Sequence, residues 1–142
     1  EGQAVIASLR EQLIRDEGMR LKAYQDSRGI WSIGIGHNLQ AKAIPQAAVM
    51  FIFETDLADT ETEVKELLPW TVNLDAARYA VVVNMAFNLG VHGLLKFRLA
   101  LAAMQRSDWP EAAKEMLDSD WKDQVGSRAH RLAQQMETGN WV

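Results

Sequence analysis

Residues 16–37 read DEGMRLKAYQDSRGIWSIGIGH, and within them the periodicity of the chain changes from helical to extended. The same stretch carries Glu17, Asp26 and Ser32, with eight residues between the first two and five between the last two. Upstream of it, Val5, Ile6, Leu9, Leu13 and Ile14 recur at spacings of three and four, which predicts an amphipathic helix over residues 4–16. Projected as a helix, Glu17 falls on the edge of that apolar stripe, and Gly18 supplies the stop. Glu17 is therefore expected half-buried at a helix C-terminus. Desolvation and the negative end of the helix dipole there favour the neutral acid that a proton donor requires.

Downstream, DSRG at residues 26–29 is a turn signal between two short strand candidates. Read as one strand, the second places Trp31, Ile33, Ile35 and His37 on one face, and Ser32, Gly34 and Gly36 on the other. A face of serine and two glycines packs a core poorly and suits a polymer lying close to the backbone. On its own, Glu17 reads as a surface helix end and Asp26 as a turn-capping aspartate. Together with a hydroxyl they form another set, because glycoside hydrolysis needs one carboxyl to protonate the leaving oxygen and a second to serve as base or nucleophile.

Outward from this stretch the chain is helical. Pro45 opens a helix at its first position that runs to about Leu68 and ends at Pro69. Residues 74–89 form a strongly apolar helix, stopped by Gly90, of the kind that sits in a core. Shorter helices are predicted over residues 93–104, 109–117 and 127–138, the second with Asp108 as its cap and Pro110 in its first turn.

The 142 residues, 48% hydrophobic and 24% charged, suit a single globular domain. Cysteine is absent, which excludes disulfides and thiolate metal sites, and His37, His92 and His130 show no ligand spacing. Neither metal nor cofactor is expected. No apolar run approaches the roughly 20 residues of a membrane helix. Glu1 is not an initiator methionine, so the reading leaves room for a preceding signal or anchor segment. Residues 1–70 hold 7 basic and 11 acidic side chains, while residues 71–142 hold 8 of each. Glu54, Asp56, Asp59, Glu61, Glu63 and Glu66 face only Lys65, which reads as a solvated helix face. The net charge of −4 argues against nucleic acid as a partner.

The Glu-x8-Asp-x5-Ser spacing and the GIGH that closes the stretch resemble the phage-type lysozymes, glycoside hydrolase family 24, and among them the T-even phage lysozymes. The family motif has threonine where this chain has Ser32. The likeness continues through NMAFNLG at residues 84–90, Trp109, Trp121 and Trp141, and SRAHR at residues 127–131. It implies a mostly helical α+β, two-lobed fold. A small β-hairpin lobe would span about residues 18–50, a long connecting helix about residues 45–68, and a helical lobe about residues 1–16 plus 70–142.

It further implies a monomeric muramidase, an inverting enzyme acting on bacterial peptidoglycan in the periplasm, as a phage endolysin, a virion-borne enzyme or a cellular copy. In it Glu17 is the general acid, and Asp26 with Ser32 positions the water. Gly34, Asn38, Phe87 and Asn88 are implied substrate contacts. Arg128 is implied near Glu17, Arg131 beside Asp16, and His37 paired with Asp56. Two alternatives are an inactive binding module of the same fold and a lytic transglycosylase. The acid, base and hydroxyl weigh against the first, and the water-holding pair against the second. Of the tryptophans, Trp109, Trp121 and Trp141 are expected mostly in the core.

Overall fold

Ser8 opens the first helix by accepting a hydrogen bond from the Glu11 amide through its Oγ at 3.2 Å, a standard N-cap for an otherwise unpartnered donor. The computed structural model of the chain describes residues 8–142, so the predicted helical positions Val5 and Ile6 lie outside the described residues. The helix, α1, runs Leu9–Glu17, and Gly18 ends it at φ 76° with its amide on the Ile14 carbonyl. No residue of α1 is buried, so Glu17 is exposed rather than half-buried. The apolar residues Leu9, Leu13 and Ile14 of α1 are exposed as well.

Three antiparallel strands follow: β1 Arg20–Gln25, β2 Trp31–Gly34 and β3 His37–Asn38, in the order β1-β2-β3. The predicted second strand is thus two strands. Gly34 and Gly36 both take positive φ, 68° and 66°, and reverse the chain between them, so the alternation read through Ile35 stops at Gly34. Ser32 pairs with Asn38, and Ile33 with His37. His37 accordingly shares the face of Ile33, opposite that of Ser32, although by pairing across a turn rather than by alternation along one strand.

The chain forms two compact units that divide between Phe51 and Ile52, and α2, Gln46–Leu67, runs from the first into the second. Pro45 precedes α2, accepting the amides of Ala48 and Val49 at 3.0 and 3.1 Å. A 3-10 turn over Pro69–Asn73 follows, which the sequence reading left out. The apolar helix α3, Ala76–Leu89, is capped by Asp75 and buries Ala77, Val81, Val82, Val83, Met85 and Ala86.

The helix expected over residues 93–104 is divided into α4, Val91–Leu94, and α5, Arg98–Gln105. Phe97 leaves the helical conformation at φ −80°, ψ 57°, and its ring meets Trp121 edge-on with centroids 5.7 Å apart. The helices α6, Trp109–Leu117, and α8, Ser127–Thr138, have the predicted bounds, and a short α7, Trp121–Val125, lies between them.

The core of the second unit is built on Met85, Leu94, Met104, Met116 and Met136, all essentially fully buried. Each such side chain contributes about 1.5–3 kcal/mol by leaving water. Unbranched methionines fill the irregular gaps between short helices. Trp121 is in this core and Trp109 is partly buried, whereas Trp141 is 69% exposed, contrary to expectation. Trp141 follows Gly139 and Asn140 beyond the end of α8. Among the described residues, no helix is long and apolar enough to cross a membrane.

Candidate active site

Asp26 stands at the end of β1 and builds the first turn with its own side chain. Its Oδ1 accepts the amides of Arg28 at 2.8 Å and Ile30 at 2.9 Å, and the Arg28 guanidinium lies 3.9 Å from Oδ2. The Ile30 amide holds this carboxyl below the ordinary aspartate range; desolvation, the next largest effect, opposes it, and the Arg28 amide and charge add smaller lowering effects. Asp26 is thus an anion near neutral pH, with Oδ1 committed to the turn and Oδ2 facing outward to the arginine.

The ladder continues through this turn. Tyr24 pairs with Ser32, and the Asp26 amide donates to the Ile30 carbonyl at 2.9 Å. Asp26 therefore lies opposite Ile30, and Ser32 is its diagonal neighbour on the same face, together with Asn38. Ser32 is 4% exposed, the one buried residue among those described in the first unit. Its Oγ has only a long 3.5 Å contact to the Ile30 carbonyl.

Glu17 reaches the same hairpin from the other end. Its side chain lies along the backbone of Gly36 in the β2–β3 turn, where a β-carbon would stand 2.8 Å from Oε2. Gly36 therefore does not offer open backbone to a polymer, as the sequence reading has it. Gly34 does, since nothing lies within 4 Å of its would-be β-carbon. Asn38 turns its Oδ1 back onto the amides of Gln40 and Ala41, both at 2.9 Å, and caps the segment after β3. His37 Nε2 lies 3.2 Å from the Lys42 carbonyl.

The remaining residues singled out by the sequence belong to the second unit, Asp16 on α1 excepted. Phe87 is exposed on α3, with its ring edge-on to Phe53 at 6.0 Å. Asn88 accepts the Trp121 indole N–H at 3.0 Å, so its amide also holds the core tryptophan. Arg128 donates through Nε and Nη2 to Asn84 Oδ1 at 3.1 and 2.7 Å. Asn84 entered the sequence reading only as the first residue of NMAFNLG, with no role of its own. Arg131 donates to Ser127 Oγ at 3.0 Å, and Asp16 accepts from Arg15 at 2.8 Å. Asp56 borders a cavity of about 310 Å³ with Asp59, Glu63 and Phe87. No group of three or more His, Cys, Asp or Glu side chains suited to a metal ion occurs among the described residues.

An ionised carboxylate, a buried hydroxyl on its own sheet face and a second carboxyl at the neighbouring turn are groups that suit water addition across a glycosidic bond. Comparison with known proteins points to the same class: residues 15–137 match the family described as phage lysozyme, and the chain belongs to that family. Membership makes it a lysozyme-type peptidoglycan hydrolase, a glycosidase. It is similar to the probable T4-type lysozyme 1 of Dictyostelium discoideum, 29% identical over 95% of this chain and 96% of that protein. It is 34% identical to the pre-baseplate central spike protein Gp5 of Enterobacteria phage T4, over 94% of this chain but only 28% of that protein. The endolysin of Salmonella phage P22 is 37% identical over 56% of this chain and 58% of its own length.

Proposed function

We propose that the protein is an inverting muramidase that hydrolyses the β-1,4 bond between N-acetylmuramic acid and N-acetylglucosamine in peptidoglycan, acting on the wall from the periplasm. Glu17 donates its proton to the glycosidic oxygen as the bond from that oxygen to the anomeric carbon breaks. A water held by Asp26 Oδ2 and Ser32 Oγ attacks the anomeric carbon from the opposite face, and Asp26 takes the proton it loses. Gly34 and Asn38 contact the sugar chain beside them.

The observation that carries this reading is the division of labour within Asp26. One oxygen is spent on the amides of Arg28 and Ile30, which fixes the group and keeps it ionised, and the other, whose neighbour is the Arg28 guanidinium at 3.9 Å, is the one we assign to the water. A carboxylate fixed in this way needs little reordering to hold a nucleophile.

The product tests the proposal. Mass spectrometry of digested, de-O-acetylated peptidoglycan should show one added water per cut, and early-time NMR should show the α-anomer first. An initial β-anomer would make Asp26 a nucleophile. Products ending in 1,6-anhydromuramic acid would make the enzyme a transglycosylase, and absence of product would leave a binding module.

A further inference from the structure

Two glycines of the GIG turn share one conformation and differ in what surrounds them. Gly34 and Gly36 have φ 68° and 66°, a region that favours glycine in both cases. A β-carbon on Gly34 would meet open space, whereas the three atoms nearest to one on Gly36 all belong to Glu17: Oε2 at 2.8 Å, Cδ at 3.0 Å and Cγ at 3.3 Å. Backbone conformation therefore explains both glycines, and the neighbour explains only the second.

Glu17 is the last residue of α1 and is exposed. Among the described residues no hydrogen bond or ion pair holds its carboxyl. A glutamate in that position has many rotamers to lose on ordering. The end of that side chain lies over Gly36, with Oε2, Cδ and Cγ the atoms nearest to where a β-carbon would stand.

We infer that Gly36 is a positioning residue for Glu17, its missing side chain forming the seat that sets the carboxyl over the β2–β3 turn. The inference rests on Glu17 being the proton donor. A methyl group at position 36 has the end of a flexible side chain to push against, so the carboxyl yields before the sheet does. Misplacement of a reacting group by about 1 Å costs on the order of 10²-fold in rate.

The test pairs kinetics with a thermal-stability cycle on the full chain. Gly36→Ala should lower kcat about 10–100-fold with KM within about twofold. Its loss of Tm should be smaller in a Glu17→Ala background than in the wild type, because that background has no carboxyl to displace. Additive Tm losses would show that the seat does not exist, and an unchanged kcat beside a non-additive Tm would show that the seat does not position the acid. Should Gly36→Ala fail to fold, the Glu17→Ala/Gly36→Ala double variant decides. Recovery of folding supports the seat, and continued failure makes the effect backbone strain and overturns it. Full lysis by Glu17→Gln would end the assignment of Glu17 as the acid and leave the stability cycle standing as a separate result.

Discussion

At the scale of single residues, Asp26 joins two tasks that the sequence reading treats as rivals, capping a turn and serving the chemistry. Asp26→Asn separates them. Asparagine keeps an Oδ1 able to accept the amides of Arg28 and Ile30, so the turn and the fold should persist, while the charge that would accept a proton from water is lost. Turnover should fall by about 10²-fold or more. The pH dependence of stability should change as well. The native carboxyl ionises below its unfolded-state range, so it stabilises the fold above the unfolded pKa and loses that contribution as the pH falls through the native one. Thermal melts across the acid range should therefore be flatter for the variant than for wild type. A variant that lyses cells normally would remove Asp26 from the mechanism. The spacing of Glu17, Asp26 and Ser32 was legible because sequence distance across a hairpin fixes register. Burial was not legible: Ser32 is covered and Glu17 is bare, and neither depends on the residues flanking it.

Among the elements, α6 and α8 have the bounds read from the sequence, whereas α1, α2 and α3 differ from theirs by a residue or more. Asp108 and Pro110, both read from the sequence, open α6, and the structure adds Gly139, which closes α8 in the left-handed conformation. The sequence reading failed where tertiary packing overrode the pattern, at Phe97, and where two glycines cut a regular alternation, at residues 34–36. It also could not show how α3 is fastened to the end of α8. Arg78 on α3 donates through Nε to the Met136 carbonyl at 2.7 Å and through Nη2 to the Glu137 carbonyl at 2.9 Å, and its guanidinium lies 4.0 Å from the centre of the Trp109 ring. These carbonyls belong to the last turn of α8, where intrahelical donors run out. Arg78→Ala should thus cost about 2–4 kcal/mol in urea denaturation, from two charge-assisted hydrogen bonds and one cation–π contact. Lysine should restore little, having neither the fork nor the planar face. A loss within about 0.5 kcal/mol, the range of ordinary surface substitutions, would mean that water replaces the arginine without penalty.

For the molecule as a whole, the acidic balance is the feature least suited to an anionic wall polymer, and the structure sorts which carboxylates matter. The run over residues 54–66 looked uniform in sequence. In the fold, Glu61 accepts the Tyr79 hydroxyl at 2.9 Å, and burial followed by this partner pushes the phenol up to about 12. Glu61 is consequently a structural acceptor, and its removal would strand a partly buried hydroxyl. Asp59 and Glu63 differ, lining the open cavity of about 310 Å³ beside the exposed Phe87. Their charge acts on an approaching polymer through solvent, over the Debye length of about 10 Å at 0.1 M salt. Asp59→Asn combined with Glu63→Gln should therefore speed turbidity clearance of permeabilised cells at low ionic strength. The difference should vanish above about 0.5 M salt, where screening shortens to a few ångströms. Melting temperature should stay close to wild type, because neither carboxylate makes a hydrogen bond or ion pair among the described residues. A gain that persisted at high salt would point to a direct contact with substrate, and no gain at low salt would mean that these carboxylates lie off the path by which the polymer arrives.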